Sequence, residues 1–554
     1  MTDLATLSAD YSAALLAFDP FGATAFGAPG HDDAVPDPSR AADRAHLDRL
    51  AAFQARLAAL APPDDAVAPR DLVTRDMLER LLADQRAELA AGLGVGAFEV
   101  GVTGTIAGPQ NAVFAVVPTV RPADEEAFAA YLRRLSALGG YFDALGARYG
   151  QAAREGRHST ATGVRQAVEQ LRAYLASPLA GDPLLRPAAG DPDRLDRVAA
   201  AVARAVRPAV ARFTGTLATL AGRDDDRVGL CHVPGGEAAY AAATRSHTST
   251  SLSPEELHRL GLDQLARVHE EVAALGGRVF GTSDVAAVLR RLREDTSLRF
   301  DTAEQIVATA TAALDRAQAA LPRWFHRYDI APCVVRPMHE VEAENCTLAY
   351  YLPPADDGSR PGAHVVNTHD PRSRPRYEYE ALAFHESVPG HHLQLALAQS
   401  SADLPGFRRF GYLTAHAEGW GLYSERLADE MGLYSDDLAR MGMLSFDAWR
   451  ASRLVVDTGM HHFGWSRDRA MAFLRDGTAL SEVNVRNETD RYIAWPGQAT
   501  AYLVGRLRIE ELRARAERAL GARFDIRDFH HRVLADGAVP LDTLTTVVDR
   551  WIAG

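Results

Sequence analysis

Residues 377–399, YEYEALAFHESVPGHHLQLALAQ, hold two helical runs and, between them, the densest cluster of ionisable side chains in the chain. The runs are YEYEALAF and LQLALAQ. Pro389 cannot donate a hydrogen bond to the carbonyl of His385, and Gly390 weakens a helix further. The sequence therefore predicts a helix that is kinked or widened at Pro389-Gly390, with His and Glu side chains concentrated around that point.

His385 and Glu386 form an adjacent pair suited to a zinc site. A neutral imidazole nitrogen binds zinc, and a carboxylate can take a proton from the water whose pKa zinc lowers toward ~7. The usual helical motif, HExxH, puts its second histidine where this chain has proline. In an unbroken helix His392 would lie about 10.5 Å along the axis from His385. With a kink, either His391 or His392 can be the second ligand, and the other is expected in the outer sphere or facing substrate.

A third zinc ligand is expected from a neighbouring helix. The candidate is Glu418 in HAEGWGLYSE, residues 416–425, far enough downstream for a loop and an antiparallel return. Glu425 shares the helix face of Glu418 and is a candidate for an outer-sphere group that orients a ligand. One zinc ion held by two histidines and Glu418 is the predicted site.

Outward from this site, most of the chain has the apolar spacing of helices. Three short runs typical of strands, CVVRPM, CTLAYYL and AHVVNT, lie within residues 333–368. We expect a mainly α protein with two helical lobes around a deep channel and a small antiparallel β-sheet beside the metal helix. Residues 1–325 would form the N-terminal lobe and residues 326–554 the metal-site lobe, together one catalytic unit. Helices are predicted at 40–61, 70–92, 124–150, 160–176, 191–221, 254–275 and 302–321.

Composition excludes several functional classes. The net charge is −13 over 554 residues, without a long basic run, which disfavours a nucleic-acid partner. Cys231, Cys333 and Cys346 are odd in number and widely spaced, so neither a disulfide framework nor a cysteine-rich metal site is expected. The first residues do not have the pattern of a signal peptide, and we find no 18-residue uncharged apolar stretch. We therefore expect a cytoplasmic protein without a membrane partner.

Several blocks of the sequence resemble the domain-of-unknown-function 885 family. HESVPGHHLQ matches its HExxPGHHxQ signature, and EGWGLYSE, DTGMHHFGWSRDRA, RYIAWPGQATAY and FHHRVLADGAVPLDTL resemble later blocks, over at least residues 340–545. That family is distantly similar to helical HExxH zinc peptidases, such as neurolysin-type oligopeptidases and angiotensin-converting-enzyme-like carboxypeptidases. The resemblance implies His385 and either His391 or His392 as ligands, Glu386 as general base and Glu418 as third ligand.

Candidates for substrate contact lie on both sides of the motif. In the related peptidases a strand before the metal helix pairs with the substrate, which suggests residues 362–368, including Asn367. Zinc together with a His or Tyr donor can stabilise the oxyanion of amide hydrolysis. The donor candidates are His461 or His462, and Tyr492 or Tyr502. Arg491 is a candidate for bidentate binding of a substrate carboxylate, whereas His530 and His531 are expected to be structural.

These observations favour a zinc-dependent hydrolase that cleaves an amide bond in a short peptide or peptide-like molecule. One alternative is a metal-dependent enzyme of specialised metabolism that cleaves a C–N or C–O bond. Another is a non-catalytic scaffold that binds a peptide or small molecule, although such a binder would not need Glu386. No GxSxG, P-loop, SxxK or CxxC pattern supports another chemistry.

Overall fold

The first half of the chain is built from helices. The computed structural model describes residues 3–25, 27–28, 30–60, 69–94, 100, 108–338, 348–354, 358 and 360–554. Its first thirteen described α-helices are α1 Leu4–Phe18, α2 Pro20–Ala25, α3 Arg40–Ala58, α4 Pro69–Ala90, α5 Pro109–Ala115, α6 Glu125–Arg154, α7 Ala161–Ala176, α8 Pro192–Ala201, α9 Arg207–Ala218, α10 Gly236–Thr248, α11 Pro254–Phe280, α12 Val285–Glu294 and α13 Ala303–Trp324.

The predicted helices of this half are confirmed, with one interruption. The segment predicted at 191–221 contains a π-helical turn, Val202–Val206, between α8 and α9. Helix starts follow their capping residues: Ser253 accepts from the N–H of Glu256, whose side chain accepts from the N–H of Ser253. Helix boundaries in this half therefore follow local sequence signals.

The second half carries the predicted break and a further set of helices. The apolar run ends as a helix at Glu386, and a new helix begins at His391, so residues 387–390 separate two helices rather than bend one. The described helices are α14 Tyr379–Glu386, α15 His391–Gln399, α16 Gly406–Arg409, α17 Thr414–Glu430, α18 Asp437–His461, α19 Arg467–Gly477, α20 Glu482–Ala494, α21 Ala501–Leu520, α22 Ile526–Leu534 and α23 Leu541–Ala553.

The small sheet is present, but its strands are not all antiparallel as predicted. Among the described residues, β1 (Cys333–Pro337), β2 (Ala349–Leu352) and β3 (Gly362–Val366) pair in the order β1-β3-β2. β2 pairs with β3 antiparallel, whereas β1 pairs with β3 parallel. The sheet is therefore mixed, because β3 inserts between the two strands that precede it in the chain.

The buried apolar side chains form three large clusters. One lies between residues 21 and 217 and centres on aromatic residues such as Phe128, Phe142 and Phe213. The other two combine residues from both sides of position 325; one includes Leu257 and Leu454, and the other includes Trp420. The division into lobes at 325 stays a prediction, while the core around the metal motif draws on the whole chain.

Close helix crossings hold α17 and α18 in the centre of the protein. A Cβ on Gly419 of α17 would lie 2.5 Å from the backbone of Gly505 on α21, so these helices meet with almost no side chain between them. α18 packs against α11 through Gly261, where an added Cβ would lie 2.8 Å from Leu454. Nearly every residue of α18 is buried.

Two expectations about cysteines and membranes can be compared with the structure. Cys231 and Cys333 are free thiols, and Cys346 lies outside the described residues. Within the described ranges no single helix is long and apolar enough to cross a membrane, although α11 and α12, bent by 63°, meet the length and composition criteria as a pair.

Candidate metal centre

The break between α14 and α15 brings His385 and His391 together. Their ring centroids lie 4.6 Å apart at an angle of 84°. The turn depends on Gly390, because a Cβ there would lie 1.9 Å from the carbonyl oxygen of His385. The carbonyl of Pro389, which follows a cis Val388–Pro389 bond, accepts a hydrogen bond from the indole of Trp420 at 2.8 Å. The end of one helix and the start of the next thus face the same point.

Glu418, from α17, completes the cluster. Its Oε2 lies 3.4 Å from His385 Nε2 and 3.5 Å from His391 Nε2. All three side chains are buried, and one donor atom from each lies within 4.8 Å of the others. Two ligands bound to zinc at about 2.0–2.1 Å in tetrahedral geometry are separated by about 3.3 Å. The donor set and both separations therefore fit one zinc ion.

Neighbouring groups orient the ligand atoms. His385 Nδ1 lies 2.8 Å from Glu425 Oε1, which leaves Nε2 directed at the cluster. Glu425 thus has the outer-sphere position expected from the sequence. The hydroxyl of Tyr412 donates to Glu418 Oε1 at 2.6 Å, leaving Oε2 toward the histidines. Gly421 gives the His385 ring its space, since an added Cβ would lie 2.5 Å from the ring.

The electrostatics of the cluster suit a cation. Burial alone would lower the pKa of His385, but hydrogen bonds with Glu418 and Glu425 raise it to about 10. Burial alone would raise the pKa of Glu418, but hydrogen bonds from His385 and His391 hold it well below its ordinary value. The carboxylates therefore favour positive charge at this point, whether it is carried by a proton or by a metal ion.

His392, the alternative second ligand, lies on the other side of α15. Its Nδ1 is 3.1 Å from the Tyr351 hydroxyl and its Nε2 is 2.9 Å from the carbonyl oxygen of Ala331. Burial lowers its pKa to about 4. Both ring nitrogens of His392 thus contact groups in the sheet or next to it. His391, not His392, therefore lies beside Glu418.

A cleft of about 1210 Å³ opens beside the cluster. Glu386 lines it together with His385, His391 and Glu418, so the expected general base has access to the same space. Other parts of its wall come from α7, β2, α18, α20 and α21.

Two predicted substrate-side residues, Tyr502 and Arg491, line the cleft. Arg491 Nη2 donates to Gln498 at 2.6 Å and to the Tyr502 hydroxyl at 3.2 Å, and Nη1 lies 3.5 Å from Glu488. Both terminal nitrogens of Arg491 therefore already have protein partners, which makes it better placed to position Tyr502 than to form a bidentate pair with a substrate carboxylate.

His461 and Tyr492 were expected in the site, and the structure places both away from the cleft lining. His461 Nδ1 accepts from the Leu230 N–H at 3.1 Å, and Nε2 lies 2.9 Å from the Tyr492 carbonyl oxygen. The Tyr492 hydroxyl donates to Glu488 at 2.6 Å. Both ring nitrogens of His461 thus have backbone partners, which argues against the oxyanion role predicted for it. The Tyr492 hydroxyl bonds with Trp449, Arg453 and Glu488.

The strand predicted to pair with substrate is the central one. β3 pairs with β1 on one side and β2 on the other, and all of its residues are buried. Asn367, just after it, is also buried, and its Oδ1 accepts from the N–H of His369 at 3.0 Å. Among the described residues β3 has no free edge, so its predicted pairing with substrate is wrong, whereas a substrate contact of Asn367 stays a prediction.

Sequence reasoning missed Tyr412 and Arg450, which both line the cleft. Tyr412 lies in a loop before α17, where the sequence carries no motif that would mark it. Arg450 follows Trp449 on α18, and this adjacency gives no indication that its Nε and Nη1 have no hydrogen-bond partner among the described residues. His530, expected to be structural, does bridge core groups: it lies 2.9 Å from the Tyr423 hydroxyl and 2.9 Å from the Trp324 carbonyl oxygen.

Comparison with known proteins gives a family and a fold. The family model described as "Bacterial protein of unknown function (DUF885)" matches residues 20–548. A protein from Colwellia psychrerythraea, described as a "putative lipoprotein", has 26% identity and a TM-score of 0.90, covering 99% of this chain and 98% of that one. A second so described, from Shewanella oneidensis, has 18% identity and a TM-score of 0.76 over 99% and 100% of the two chains, and shows the fold alone. No curated protein matches this chain.

Proposed function

This chain belongs to the DUF885 family, and we propose that it is a zinc-dependent hydrolase that cleaves an amide bond in a short peptide or peptide-like molecule. The observation that carries the proposal is the convergence of His385, His391 and Glu418, from three helices, on one point at the wall of a cleft. Three protein ligands leave a fourth position of a tetrahedral zinc site open, as catalytic zinc sites require.

The chain's own residues divide the work of hydrolysis. A bound zinc ion supplies Lewis acidity, polarising a carbonyl and lowering the pKa of water. Glu386, which follows a ligand directly and faces the cleft, accepts the proton of the attacking water and returns it to the leaving amine. The Tyr502 hydroxyl, oriented by Arg491, is the proposed hydrogen-bond donor to the oxyanion.

The volume of the cleft suits a substrate of the size of a short peptide. At about 1210 Å³, this volume lies somewhat above the range of small-molecule sites, about 300–1,000 Å³. β2 is an edge strand among the described residues, and its residues 349–351 line the cleft. We therefore propose that the substrate lies against the residues of β2 that line the cleft. The proposed partner is a short peptide, with no nucleic acid and no membrane, in the cytoplasm.

The metal assignment is tested by elemental analysis. We expect close to one zinc ion per chain in the purified protein and almost none in His385→Ala, because two ligands hold zinc far more weakly than three. His531→Ala is the control, since His531 is a half-buried histidine outside the cleft lining and should leave the zinc content unchanged. Absence of any divalent metal after growth and purification with zinc would overturn the proposal.

The catalytic assignment is tested with Glu386→Gln. This variant should keep its zinc and lose about 100- to 10,000-fold in kcat on short peptides with free termini, the range of general acid–base catalysis. Full turnover by the zinc-loaded variant would exclude the general-base role. If the zinc-loaded wild type cleaves no member of a broad panel of short peptides, the peptide assignment is wrong and biosynthetic C–N or C–O substrates become the next class to screen.

A further inference from the structure

A face of α18 brings arginine and aromatic side chains to the cleft wall. Phe446, Trp449, Arg450 and Arg453 follow the spacing of one helix face and all line the cleft. The Arg450 guanidinium carbon lies 4.4 Å from the ring centroids of both Phe446 and Trp449. That of Arg453 lies 4.4 Å from Trp449 and 4.4 Å from Tyr502. Both guanidinium groups thus pack against aromatic rings. Such packing leaves the N–H groups at the edge of a guanidinium available for hydrogen bonds.

The hydrogen-bonding edge of Arg453 is largely occupied. Its Nε donates to the Tyr492 hydroxyl at 2.9 Å and its Nη2 to Glu488 at 3.0 Å. Arg491 lies 3.5 Å from the same Glu488 carboxylate. One carboxylate is therefore shared by two arginines, which leaves this part of the wall with an excess of positive charge.

Arg450 differs because two of its three guanidinium nitrogens are buried without a hydrogen-bond partner among the described residues. Only 5% of the residue is exposed, and within the described part of the chain neither Nε nor Nη1 has a partner. Its Nη2 lies 4.0 Å from Glu425 Oε1, but that oxygen already binds His385 Nδ1 at 2.8 Å. A buried charged donor without a partner is costly, so such a group indicates a site built for an anion.

Glu378 is a further acidic group of the cleft wall. Its Oε1 accepts from the Ser445 hydroxyl at 3.0 Å, and burial raises its pKa to about 7. Glu378 therefore offsets the arginine charge only in part. Three acidic groups, Glu378, Glu425 and Glu488, thus face Arg450, Arg453 and Arg491, and because Glu378 is only partly charged near neutral pH, the balance at this wall is slightly positive.

We propose that Arg450 binds the C-terminal carboxylate of the peptide substrate, so that the protein removes residues from the carboxyl end of short peptides. This inference rests on the function proposed above. Glu425 and the His385 ring separate Arg450 from the metal position, which puts the two about 11 Å apart at most. An extended peptide spans about 3.3–3.6 Å per residue, so the cleaved bond lies within about three residues of the carboxylate.

The test compares tripeptides of the form Ala-Ala-X carrying a free C-terminal carboxylate with the same peptides carrying a C-terminal amide. For the wild type, kcat/KM should be roughly 10- to 100-fold higher on the free acids, the size expected for charge-assisted hydrogen bonds. Arg450→Met keeps an apolar chain between Phe446 and Trp449, and it should reduce that ratio to near one. Arg450→Lys keeps the charge without the bidentate edge, and it should give an intermediate ratio.

Arg374→Met is the matched control. Arg374 also lines the cleft, but its Nε donates to the His369 carbonyl at 3.0 Å. It should preserve the acid-to-amide ratio. A second arm places Glu at X in the amidated peptide. If this peptide is cleaved as well as the free acids, Arg450 binds a side-chain carboxylate and the proposal for the terminal carboxylate is overturned.

Two measurements separate failure of this inference from failure of the proposed function. Equal kcat/KM on acids and amides by the wild type would overturn the inference while leaving the hydrolase intact. Binding of the uncleaved tripeptides to zinc-loaded Glu386→Gln, followed by calorimetry, should show the same preference for free acids. Equal affinities there would overturn the inference without reference to turnover, and absence of turnover on either peptide form by the wild type would overturn both proposals.

Discussion

Two regions of this protein carry buried histidines in apolar helices, and they have different environments. At the break between α14 and α15, the Nε2 atoms of His385 and His391 point to the carboxylate of Glu418 at the cleft wall. At the end of α18, both ring nitrogens of His461 bind backbone groups. Burial lowers the pKa of His461 to about 4, whereas carboxylates raise that of His385 to about 10.

The comparison indicates that the hydrogen-bond partners of a buried histidine distinguish a candidate metal ligand from a structural residue. His461 is satisfied as a neutral ring, so a metal or substrate would have to displace a backbone bond. In the break region, carboxylates instead surround the rings of His385 and His391, which have no backbone partner among the described residues. If this difference is functional, substitutions in the break region should change zinc affinity, and substitutions at the end of α18 should change stability.

The largest expected effect separates two adjacent histidines in the break region. His391→Ala should weaken zinc binding by at least about 1000-fold, more than the 10- to 100-fold typical of outer-sphere substitutions. His392→Ala should leave zinc affinity within a few-fold of the wild type, because both its nitrogens bind Tyr351 and Ala331. Competition with a zinc chelator measures both. Loss of zinc from the His392 variant, with His391→Ala still loaded, would reverse the ligand assignment.

The next effect concerns His461 and should appear in stability alone. His461→Ala leaves the buried Leu230 N–H without an acceptor and opens a cavity beside Tyr240, whose ring stacks on His461 at 5.2 Å. We expect the free energy of unfolding to fall by about 3 kcal/mol, measured by urea denaturation, with zinc content unchanged.

His462→Ala is the control for this prediction. His462 is partly exposed and pairs with Glu255, so its loss should change stability by less than about 1 kcal/mol. A catalytic defect in folded, zinc-loaded His461→Ala would contradict the structural role given to His461.

The sequence predicted the elements of the fold well because their signals are local. The capping box at Ser253 and the apolar spacing of α11 lie within one helix, and both are confirmed. The parallel pairing of β1 with β3 was not predictable in this way, since strand periodicity reports which face is buried and not which strand lies alongside.

The candidate site was predictable only where one motif contained its residues. His385, Glu386 and Glu418 could be chosen from their motifs, but the choice between His391 and His392 depends on the path of residues 387–390. Tyr412 and Arg450 lie outside the motifs, and only tertiary packing shows that they line the cleft.

A smaller effect at the end of α18 depends on pH. Burial raises the pKa of Asp457 to about 7, although its carboxylate accepts from Tyr240 and Gly497. Because the folded state holds this proton more tightly than the unfolded state, the group's contribution to stability is full below about pH 4 and is lost as pH rises to about 7. Asp457→Asn should remove about 2 kcal/mol of the decline between pH 5 and 7, measured by urea denaturation at several pH values. An unchanged slope would contradict this assignment.

The smallest effect returns to the break region, where Tyr412 was not expected. Tyr412→Phe removes the hydrogen bond to Glu418 Oε1 and keeps the ring that lies 6.4 Å from His391. A charge-assisted hydrogen bond that fixes a ligand carboxylate should contribute about tenfold to zinc affinity, roughly 1.4 kcal/mol. The same chelator competition measures this, and Tyr434→Phe, whose hydroxyl binds the backbone carbonyl of Glu425, is the control expected to keep zinc affinity. Equal zinc affinities of the wild type and Tyr412→Phe would mean that packing alone orients Glu418. The residues needed for zinc binding would then lie only in the break between α14 and α15 and in α17.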